Sequence, residues 1–222
     1  MKTVFRALAF VIFLMNGQMA NAQDKIKEGK ITFEITIENE EEMGDQMLAM
    51  MPKEMIVYFK GEKSRGEMEM MGGKIITITD GKEGESISCM DLMGKKQAIK
   101  TTKEEAEKEK AKMGEYDVKL SDETKEVAGY KCKKATVVFK DPEKSSPIEI
   151  WYTNDLEVSN SEKYSWKEID GYMMEFSVDQ KGMGMKFTCT EVKKQDVKDD
   201  MFNVPEGYTV ITQEEMMKQY GR

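Results

Sequence analysis

The chain has 222 residues, a net charge of −8 and no histidine, and 34% of its residues are charged. This length is sufficient for one domain with a sizeable core. An acidic chain without a basic block is a poor match for nucleic acid and gains no attraction to anionic lipid surfaces. The lack of histidine excludes His-based catalytic triads, HExxH zinc sites and facial-triad iron sites.

The first 22 residues have the pattern of a cleaved signal peptide. Lys2 and Arg6 precede an apolar run over residues 7–15, which is too short to span a membrane. Ala20 and Ala22 form an A-x-A cleavage site. We therefore predict a signal peptide over residues 1–22, cleaved after Ala22, and a single domain over residues 23–222 that is periplasmic or secreted. Removing the two basic residues would change the net charge from −8 to −10.

Short strands separated by turn residues dominate the next part of the chain. Residues 30–38, KITFEITIE, alternate between apolar and polar side chains, which is typical of a half-buried antiparallel strand. Glycine and Asp-Gly turns separate the strand-like runs that follow. These runs lie at residues 55–60, 74–79, 86–92 and 96–100. The pattern predicts a meander of antiparallel strands.

A charged segment then interrupts the strands. Thr102 and Glu105 have the spacing of a capping box, and Glu104 can pair with Lys108 one turn later. We predict a solvent-exposed helix over residues 102–113. Strands are predicted to resume at residues 116–120, 124–127, 130–140, 147–153, 172–178 and 183–192, and a short helix is predicted at residues 213–220.

The stretch MGDQMLAMMPKEM, residues 43–55, is unusually rich in methionine. Met43, Met47, Met50 and Met51 have the spacing i, i+4, i+7 and i+8, so they would share one face of a helix that ends near Pro52. We interpret this segment as a methionine-faced lid helix inserted between the first two strands. It would pack on the concave face of the sheet or lie across the mouth of an open barrel.

The methionines admit two interpretations. Thioethers are soft ligands that suit Cu(I). In this alternative the metal ligands are Met68, Met70, Met71, Met183 and Met185. Methionine is also an adaptable apolar side chain that can line a cavity for varied guests. The lining candidates are Met43, Met47, Met50 and Met51 on the lid helix, with Tyr58, Phe59, Met174, Phe176, Met185 and Phe187 on strands.

Three cysteines follow the predicted cleavage site: Cys89, Cys132 and Cys189. They allow one disulfide within the chain and leave one thiol over. Cys132 and Cys189 lie in strand-like stretches and are the candidate pair, since they could be neighbours across a sheet. The alternative is that all three are small buried apolar residues. A catalytic thiol is not expected, because the chain has no histidine to act as its base.

Several segments resemble an uncharacterised, methionine-rich family of exported Bacteroidetes proteins defined by a domain of unknown function. They are ETKEVAGYKCKKA (123–135), IEIWYTNDL (148–156), EIDGYMMEFSV (168–178) and VKDDMFNVPEGYTVI (197–211), with residues 57–84 and 91–100 in the first half. That family is similar in fold to the LolA/LolB lipoprotein-carrier superfamily, in which a curved antiparallel sheet wraps around helices. The resemblance implies a cavity for lipid acyl chains and a link to outer-membrane lipoprotein sorting.

We therefore expect a mainly β (α+β), LolA-like domain: a curved antiparallel half-barrel of about ten strands with two or three helices. The expected function is non-enzymatic binding of a hydrophobic ligand, a lipid or a lipoprotein acyl chain, without a cofactor, nucleic acid or a transmembrane segment. Other envelope proteins are further candidate partners. The alternatives are a methionine-rich Cu(I)-binding envelope protein and a structural envelope protein with a filled core and no ligand.

Overall fold

The computed structural model describes residues 25–38, 43–70, 73–92, 94–141, 146–160, 166–180 and 183–220. The predicted signal peptide lies outside the described residues. Three α-helices are described, α1 (Asp45–Leu48), α2 (Lys103–Lys112) and α3 (Gln213–Tyr220), with a 3₁₀ helix at Asp199–Phe202. The strands are β1 (Glu28–Ile37), β2 (Glu54–Lys60), β3 (Lys63–Met70), β4 (Gly73–Asp80), β5 (Glu85–Leu92), β6 (Lys95–Thr101), β7 (Tyr116–Val127), β8 (Tyr130–Phe139), β9 (Ile148–Thr153), β10 (Tyr172–Gln180), β11 (Met183–Lys194) and β12 (Thr209–Thr212).

All twelve described strands belong to one curved, open sheet with the order β12-β6-β5-β4-β3-β2-β1-β11-β10-β9-β8-β7. Every neighbouring pair is antiparallel except β12 and β6, which run parallel. The centre of the sheet is the pairing of β1 with β11, which sets Ile35 opposite Phe187. This long-range pairing joins the meander β1–β6 to the meander β7–β11. The prediction of a mainly β, curved antiparallel half-barrel is confirmed.

Two described strands, β3 and β12, were missed in the sequence. Strand β3 pairs with both β2 and β4, so it is a full member of the sheet. Its residues 63–70, KSRGEMEM, place charged side chains on one face and small or thioether side chains on the other. That alternation is a strand pattern, but glycine and glutamate are depleted in strands and hide it. Conversely, residues 116–120 and 124–127 are one strand with an irregularity between Leu120 and Thr124.

The predicted methionine-faced lid helix is wrong. Helix α1 is a single turn with no side-chain N-cap and no buried residue. Met43 precedes it, and Met50 and Met51 follow it. A turn of this length makes too few hydrogen bonds to be stable without packing, because helix nucleation is costly. Met47 and Met50 are 54% and 43% exposed, so they do not form a packed face.

The other two helices are where the sequence placed them. In α2 the amide of Glu105 donates to the Thr102 hydroxyl at 3.3 Å, and the Thr102 amide donates to the Glu105 carboxylate at 2.8 Å. This is the predicted capping box. In α3 the same reciprocal pair forms between Thr212 and Glu215, at 3.1 Å and 2.8 Å. Both helices therefore begin at a residue that satisfies free amides of the first turn.

The inner face of the sheet is defined here as the one that carries Phe33, Val57, Phe59 and Phe187. These residues belong to a core cluster built mainly by β1, β2, β10 and β11. A second cluster lies under β8 and β9, against Trp166. Because successive side chains of a strand point to opposite faces, the alternate residues of β4 and β5 face outward.

The outer face of β4–β6 is covered by the C-terminal segment, residues 195–208. Ile76, Ile78, Cys89 and Ala98 pack there against Phe202, Val204 and Tyr208. Two polar contacts hold the segment in place. The Arg65 guanidinium donates to the Met201 carbonyl at 3.0 Å, and Lys60 pairs with Asp199 at 2.7 Å. The C-terminal segment thus covers the outer face, and the inner face between β2–β4 and β10–β11 is left for a groove.

Candidate functional site: an apolar groove on the inner face

A groove with a volume of about 260 Å³ lies on the inner face, between β2–β4 on one side and β10–β11 on the other. We call it the inner-face groove. The described residues that line it are Met55, Val57, Ser64, Gly66, Met68, Thr77, Thr79, Ser159, Asn160, Tyr172, Met173, Phe176, Val178 and Phe187.

Small side chains form the floor of the groove. Gly66 lies directly opposite Thr77, and Ser64 lies directly opposite Thr79, on the neighbouring strands β3 and β4. The inner face of β1 and β11 carries Phe, Ile and Met at the comparable positions. A Cβ added at Gly66 would meet nothing nearer than the Thr77 carbonyl oxygen at 4.0 Å. The groove therefore exists because four adjacent positions lack the bulk to fill the face.

The two walls of the groove differ in stiffness. On one side Met55 and Met68 are cross-strand partners in β2 and β3. On the other side the rings of Phe176 and Phe187 stack with centroids 4.9 Å apart and an interplanar angle of 7°. Phe33 supports Phe176 edge-on at 6.1 Å. One wall is thus rigid and aromatic, whereas the thioether wall can change shape to fit an apolar guest.

A chain segment crosses one end of the groove. Residues 155–160, which we call the strap, follow β9 and contact the start of the chain. The Ile26 amide donates to the Asp155 carbonyl at 2.9 Å, and the Glu157 amide donates to the Ile26 carbonyl at 2.8 Å. Ser159 lies against Gly81 in the turn between β4 and β5. The strap therefore connects β1 to the far side of the groove.

The polar groups of the groove are neutral. None of the described lining residues is charged, although 34% of the chain is. Burial raises the pKa of Tyr172, so its phenol stays protonated at physiological pH. The side chain of Asn160 donates from Nδ2 to the Gly171 carbonyl at 2.9 Å. Its Oδ1 is buried and accepts no hydrogen bond within the described part of the chain.

The predicted lining residues fall into three groups. Phe176 and Phe187 line the groove. Phe59, Met174 and Met185 belong to the packed core cluster of the same face and are not among the described lining residues. The remaining five, on β2 and in the methionine stretch, lie elsewhere.

Tyr58 was predicted to line the ligand cavity, as was Phe59, but Tyr58 is not among the described lining residues of the groove. The two residues are consecutive in β2, so their side chains point to opposite faces. Met43, Met47 and Met50 are not among the described lining residues. Met51 packs at the margin of the inner-face core cluster and borders a separate surface pocket.

Three of the five predicted Cu(I) ligands have described side chains, and these three lie on two strands that are not neighbours. Met68 lines the groove, Met70 lies at the end of β3 with 37% exposure, and Met185 lies on β11. Strands β2 and β1 separate β3 from β11, a backbone separation of about 14 Å at ordinary strand spacing. Met71 and the side chain of Met183 lie outside the described residues. Among the described residues there is no group of three or more His, Cys, Asp or Glu side chains that could hold a metal.

The three cysteines are free and buried. Cys132 and Cys189 share the inner-face core cluster, where burial raises their pKa to about 11 and about 12. Cys89 lies under the C-terminal segment, and burial raises its pKa as well. Such thiols are poor nucleophiles, because the thiolate is the reactive form. The pairing of Cys132 with Cys189 stays a prediction.

Most of the groove residues were missed by sequence reasoning. Met55 and Val57 continue the alternation that ends at Phe59, so the period of β2 could have identified them. Ser64, Gly66 and Met68 could have been found from the alternation of β3. No sequence signal marks Ser159 or Asn160, which reach the groove only through the path of the strap.

No described helix is both long enough and apolar enough to cross a membrane.

Comparison with solved structures extends the description of the fold. A structure of PNGF-II matches with 18% identity and a TM-score of 0.55, over 86% of this chain and 32% of that chain. An uncharacterized conserved protein from Thermus thermophilus matches with 13% identity and a TM-score of 0.49, over 85% of this chain and 91% of that one. MucB matches with 11% identity and a TM-score of 0.41, over 83% and 59%. The chain thus spans about a third of PNGF-II.

Sequence comparison assigns the family. No curated protein matches the chain. The resemblance to an exported Bacteroidetes family stays a prediction. The model of the family described as N-glycanase peptide, N-terminal domain, matches residues 90–212. This match covers more than half of the 222 residues, and the chain therefore belongs to the N-glycanase peptide, N-terminal domain family.

Proposed function

We propose that the chain is a non-catalytic binding domain that holds a hydrophobic ligand, such as a lipid acyl chain, in the inner-face groove. The observation that carries this proposal is the floor of Ser64, Gly66, Thr77 and Thr79, which leaves about 260 Å³ open beside the apolar core. Small-molecule sites typically measure about 300–1,000 Å³ and are mainly apolar. The groove lies just below that range, so a single extended chain fits it better than a bulky ligand.

The chemistry of the walls supports an apolar guest. Met55 and Met68 provide polarisable side chains that repack at low cost, and Phe176 with Phe187 provides a flat, rigid surface. Burying an apolar chain against them is favourable by about 25 cal/mol for each Å² removed from water. The free groove exposes part of this surface, which a ligand would cover.

The absence of enzymatic activity is part of the proposal. Binding grooves that perform acid–base chemistry place titratable groups with suitably shifted pKa values in the site. Here the described lining is uncharged. Burial alone would raise the pKa of Glu67 and of Glu175, but ion pairs with lysine and arginine side chains outweigh it and lower both pKa values. A lowered pKa is the opposite of what a carboxyl acting as a general acid requires.

The family name raises the question of N-glycanase activity. The matched family is an N-terminal domain, and the chain spans about a third of PNGF-II. We assign this domain a binding role, separate from bond cleavage. We infer from the predicted signal peptide that the domain is periplasmic or secreted, which makes lipids, lipoproteins and other envelope proteins the candidate partners. The separation of Met68 and Met70, on β3, from Met185, on β11, makes the Cu(I) alternative the weaker one.

Titration of the purified chain with the neutral fluorescent probe N-phenyl-1-naphthylamine tests the proposal. The wild-type chain is expected to bind one probe saturably. Met68→Glu places a charge in the groove and should abolish binding, because an unpaired buried carboxylate is strongly disfavoured. Met70→Glu is the matched control, since Met70 lies two residues along the same strand, outside the groove. An unresponsive wild-type chain, or equal binding by both variants, would overturn the proposal.

A further inference from the structure

The floor of the groove changes in bulk along β3 and β4. Two neighbouring pairs of cross-strand partners, Ser64 with Thr79 and Gly66 with Thr77, carry small side chains. The next residue of β3 on the inner face is Met68, which is half-buried and whose partner on β2 is also a methionine. The open part of the floor therefore ends at this methionine pair.

The strap lies across the opposite end of the floor. Ser159 lines the groove and contacts Gly81, which follows Thr79 by two residues. The Gly81 amide donates to the Glu62 carbonyl at 2.8 Å, and Glu62 precedes Ser64 by two residues. The strap thus crosses the groove where the small-residue floor begins, so a chain that ends at the strap extends toward the methionine pair.

The distance between the strap end and the methionine pair corresponds to a definite length of ligand. Ser64 and Met68 are four residues apart on one strand, which is about 13 Å at a rise of about 3.3 Å per residue. About ten carbons of an extended alkyl chain span this distance, because bonds of about 1.5 Å at angles of about 111° advance about 1.25 Å per carbon.

The volume of the groove gives a similar length. A methylene group takes roughly the volume of a water molecule, about 30 Å³. The groove of about 260 Å³ would therefore hold about nine methylene groups. Distance and volume are separate measures of the groove, and both correspond to a chain shorter than that of a long-chain lipid.

Beyond the methionine pair, β3 and β4 give little further cover. Met70 is the next residue of β3 on the inner face. It is 37% exposed and is not among the described lining residues. Its partner on β4 is Gly73, which is exposed and has no side chain. Carbons that pass Met68 add less to binding, because the gain scales with the apolar area removed from water.

We propose that the groove selects an alkyl or acyl chain of medium length, about eight to ten carbons, and that Met55 and Met68 set this limit. This inference rests on the proposed function, that the groove holds a hydrophobic ligand. A shorter chain leaves part of the small-residue floor uncovered. A longer chain gains little from its additional methylene groups.

Displacement of N-phenyl-1-naphthylamine by 1-hexanol, 1-octanol, 1-decanol and 1-dodecanol tests the limit on the full chain. Each buried methylene group should increase the affinity about fourfold. The affinity should therefore rise about fifteenfold from hexanol to octanol, and again from octanol to decanol. From decanol to dodecanol it should rise less than about twofold, because the last two carbons stay largely in water.

Two variants should move the limit in opposite directions. Met68→Ala lengthens the small-residue floor, so dodecanol should bind about tenfold more tightly than decanol. Thr77→Met adds bulk in the middle of the floor, so the rise in affinity should stop at octanol or earlier. Met70→Ala is the matched control, since it removes the same side chain two residues along the same strand, outside the groove. It should keep the wild-type limit.

The outcomes separate the two proposals. If none of the alcohols displaces the dye from the wild-type chain, the proposed function fails. If the affinity of the wild-type chain keeps rising about fourfold per methylene group up to dodecanol, the groove binds apolar chains but does not select their length. A limit that stays at decanol in both Met68→Ala and Thr77→Met would show that the floor between the strap and the methionine pair does not determine it.

Discussion

Gly81 and Ser159 are in direct contact, although 78 positions separate them in the sequence. Gly81 lies in the turn between β4 and β5, and Ser159 lies in the strap. A Cβ at position 81 would overlap the Cβ and Oγ atoms of Ser159 and would approach the Glu62 carbonyl at 3.0 Å. The strap therefore closes on the meander at a point where only glycine leaves room.

Gly81→Ala should displace the strap. We expect a loss of about 1–3 kcal/mol in the free energy of unfolding, the usual cost of overpacking. Ser159→Gly removes the overlapping side chain, so the double variant should recover most of the loss. Urea denaturation of both single variants and the double variant gives the coupling free energy between positions 81 and 159. Strictly additive effects would show that the two residues do not interact.

Gly66→Leu should fill the groove from its floor. The backbone at Gly66 is ordinary strand and a Cβ there has space, so the fold should tolerate the change. Replacing a strand glycine adds about 0.5–1 kcal/mol of stability, while the leucine side chain takes the ligand's place. We expect a stable protein that no longer binds N-phenyl-1-naphthylamine.

Gly66→Ala is the matched control for this change. Like leucine, alanine reduces the conformational entropy of the unfolded chain relative to glycine. Its small side chain leaves most of the groove open, so the variant should still bind the dye. Dye titration and thermal melting of the two variants compare the effects. Full binding by Gly66→Leu would contradict the position of the groove.

Glu175 should make stability depend on pH. Its carboxylate pairs with Lys125 at 2.8 Å and with Lys186 at 3.0 Å. Burial by itself raises the pKa of Glu175, but the two lysines outweigh it and lower the pKa below its ordinary value of 4.5. The stabilisation is therefore present above about pH 4.5, where the unfolded carboxyl is ionised, and is lost as the pH falls through the folded pKa.

Glu175→Gln should lower the free energy of unfolding at pH 7 by about 1–2 kcal/mol, between the values of exposed and buried ion pairs. Below pH 4.5 the free energy of unfolding should also decrease less in the variant than in the wild-type chain. Urea denaturation between pH 3 and pH 7 measures both effects. Glu126→Gln, on an exposed position of β7, is the control and should leave the profile unchanged. If the free energy of unfolding of Glu175→Gln varied with pH in parallel with that of the wild-type chain, Glu175 would not be the group that causes the decline.

The thiols should be unreactive in the folded chain. With pKa values of about 11 and about 12, Cys132 and Cys189 carry about a thousandth or less of thiolate at pH 8. Because these pKa values are raised, the associated stability is present below the unfolded thiol pKa of about 8.5 and declines as the pH rises further. Ellman's reagent should react slowly with the native protein and rapidly after unfolding.

The same measurement tests the predicted disulfide. In denaturant without a reducing agent, the chain carries three reactive thiols if all cysteines are free, as in the structure, and one if Cys132 and Cys189 are bridged. Cys89→Ser is the informative variant. It should leave two thiols in the first case and none in the second. Rapid reaction of the native wild-type chain would contradict the burial of these residues.

Local chemistry determined much of this protein from the sequence alone. The alternation of residues 30–38 identified β1, and the spacing of Thr102 and Glu105 identified the start of α2, because each signal depends only on neighbouring residues. The predicted strands at 124–127 and 130–140 leave two residues between them, and these residues, Ala128 and Gly129, form the hairpin turn with positive φ. The prediction failed at the methionine stretch, where helical spacing was present but a packing partner was not.

What only the tertiary structure decided is the groove. Its floor depends on the register that sets Gly66 opposite Thr77 and Ser64 opposite Thr79, and its walls depend on the pairing of β1 with β11. The strap contacts Gly81 through Ser159, and Ser159 and Asn160 both line the groove. Strand periodicity specifies which side chains share a face, but register and curvature specify which faces meet. These arise from contacts between distant residues, which a local pattern does not contain.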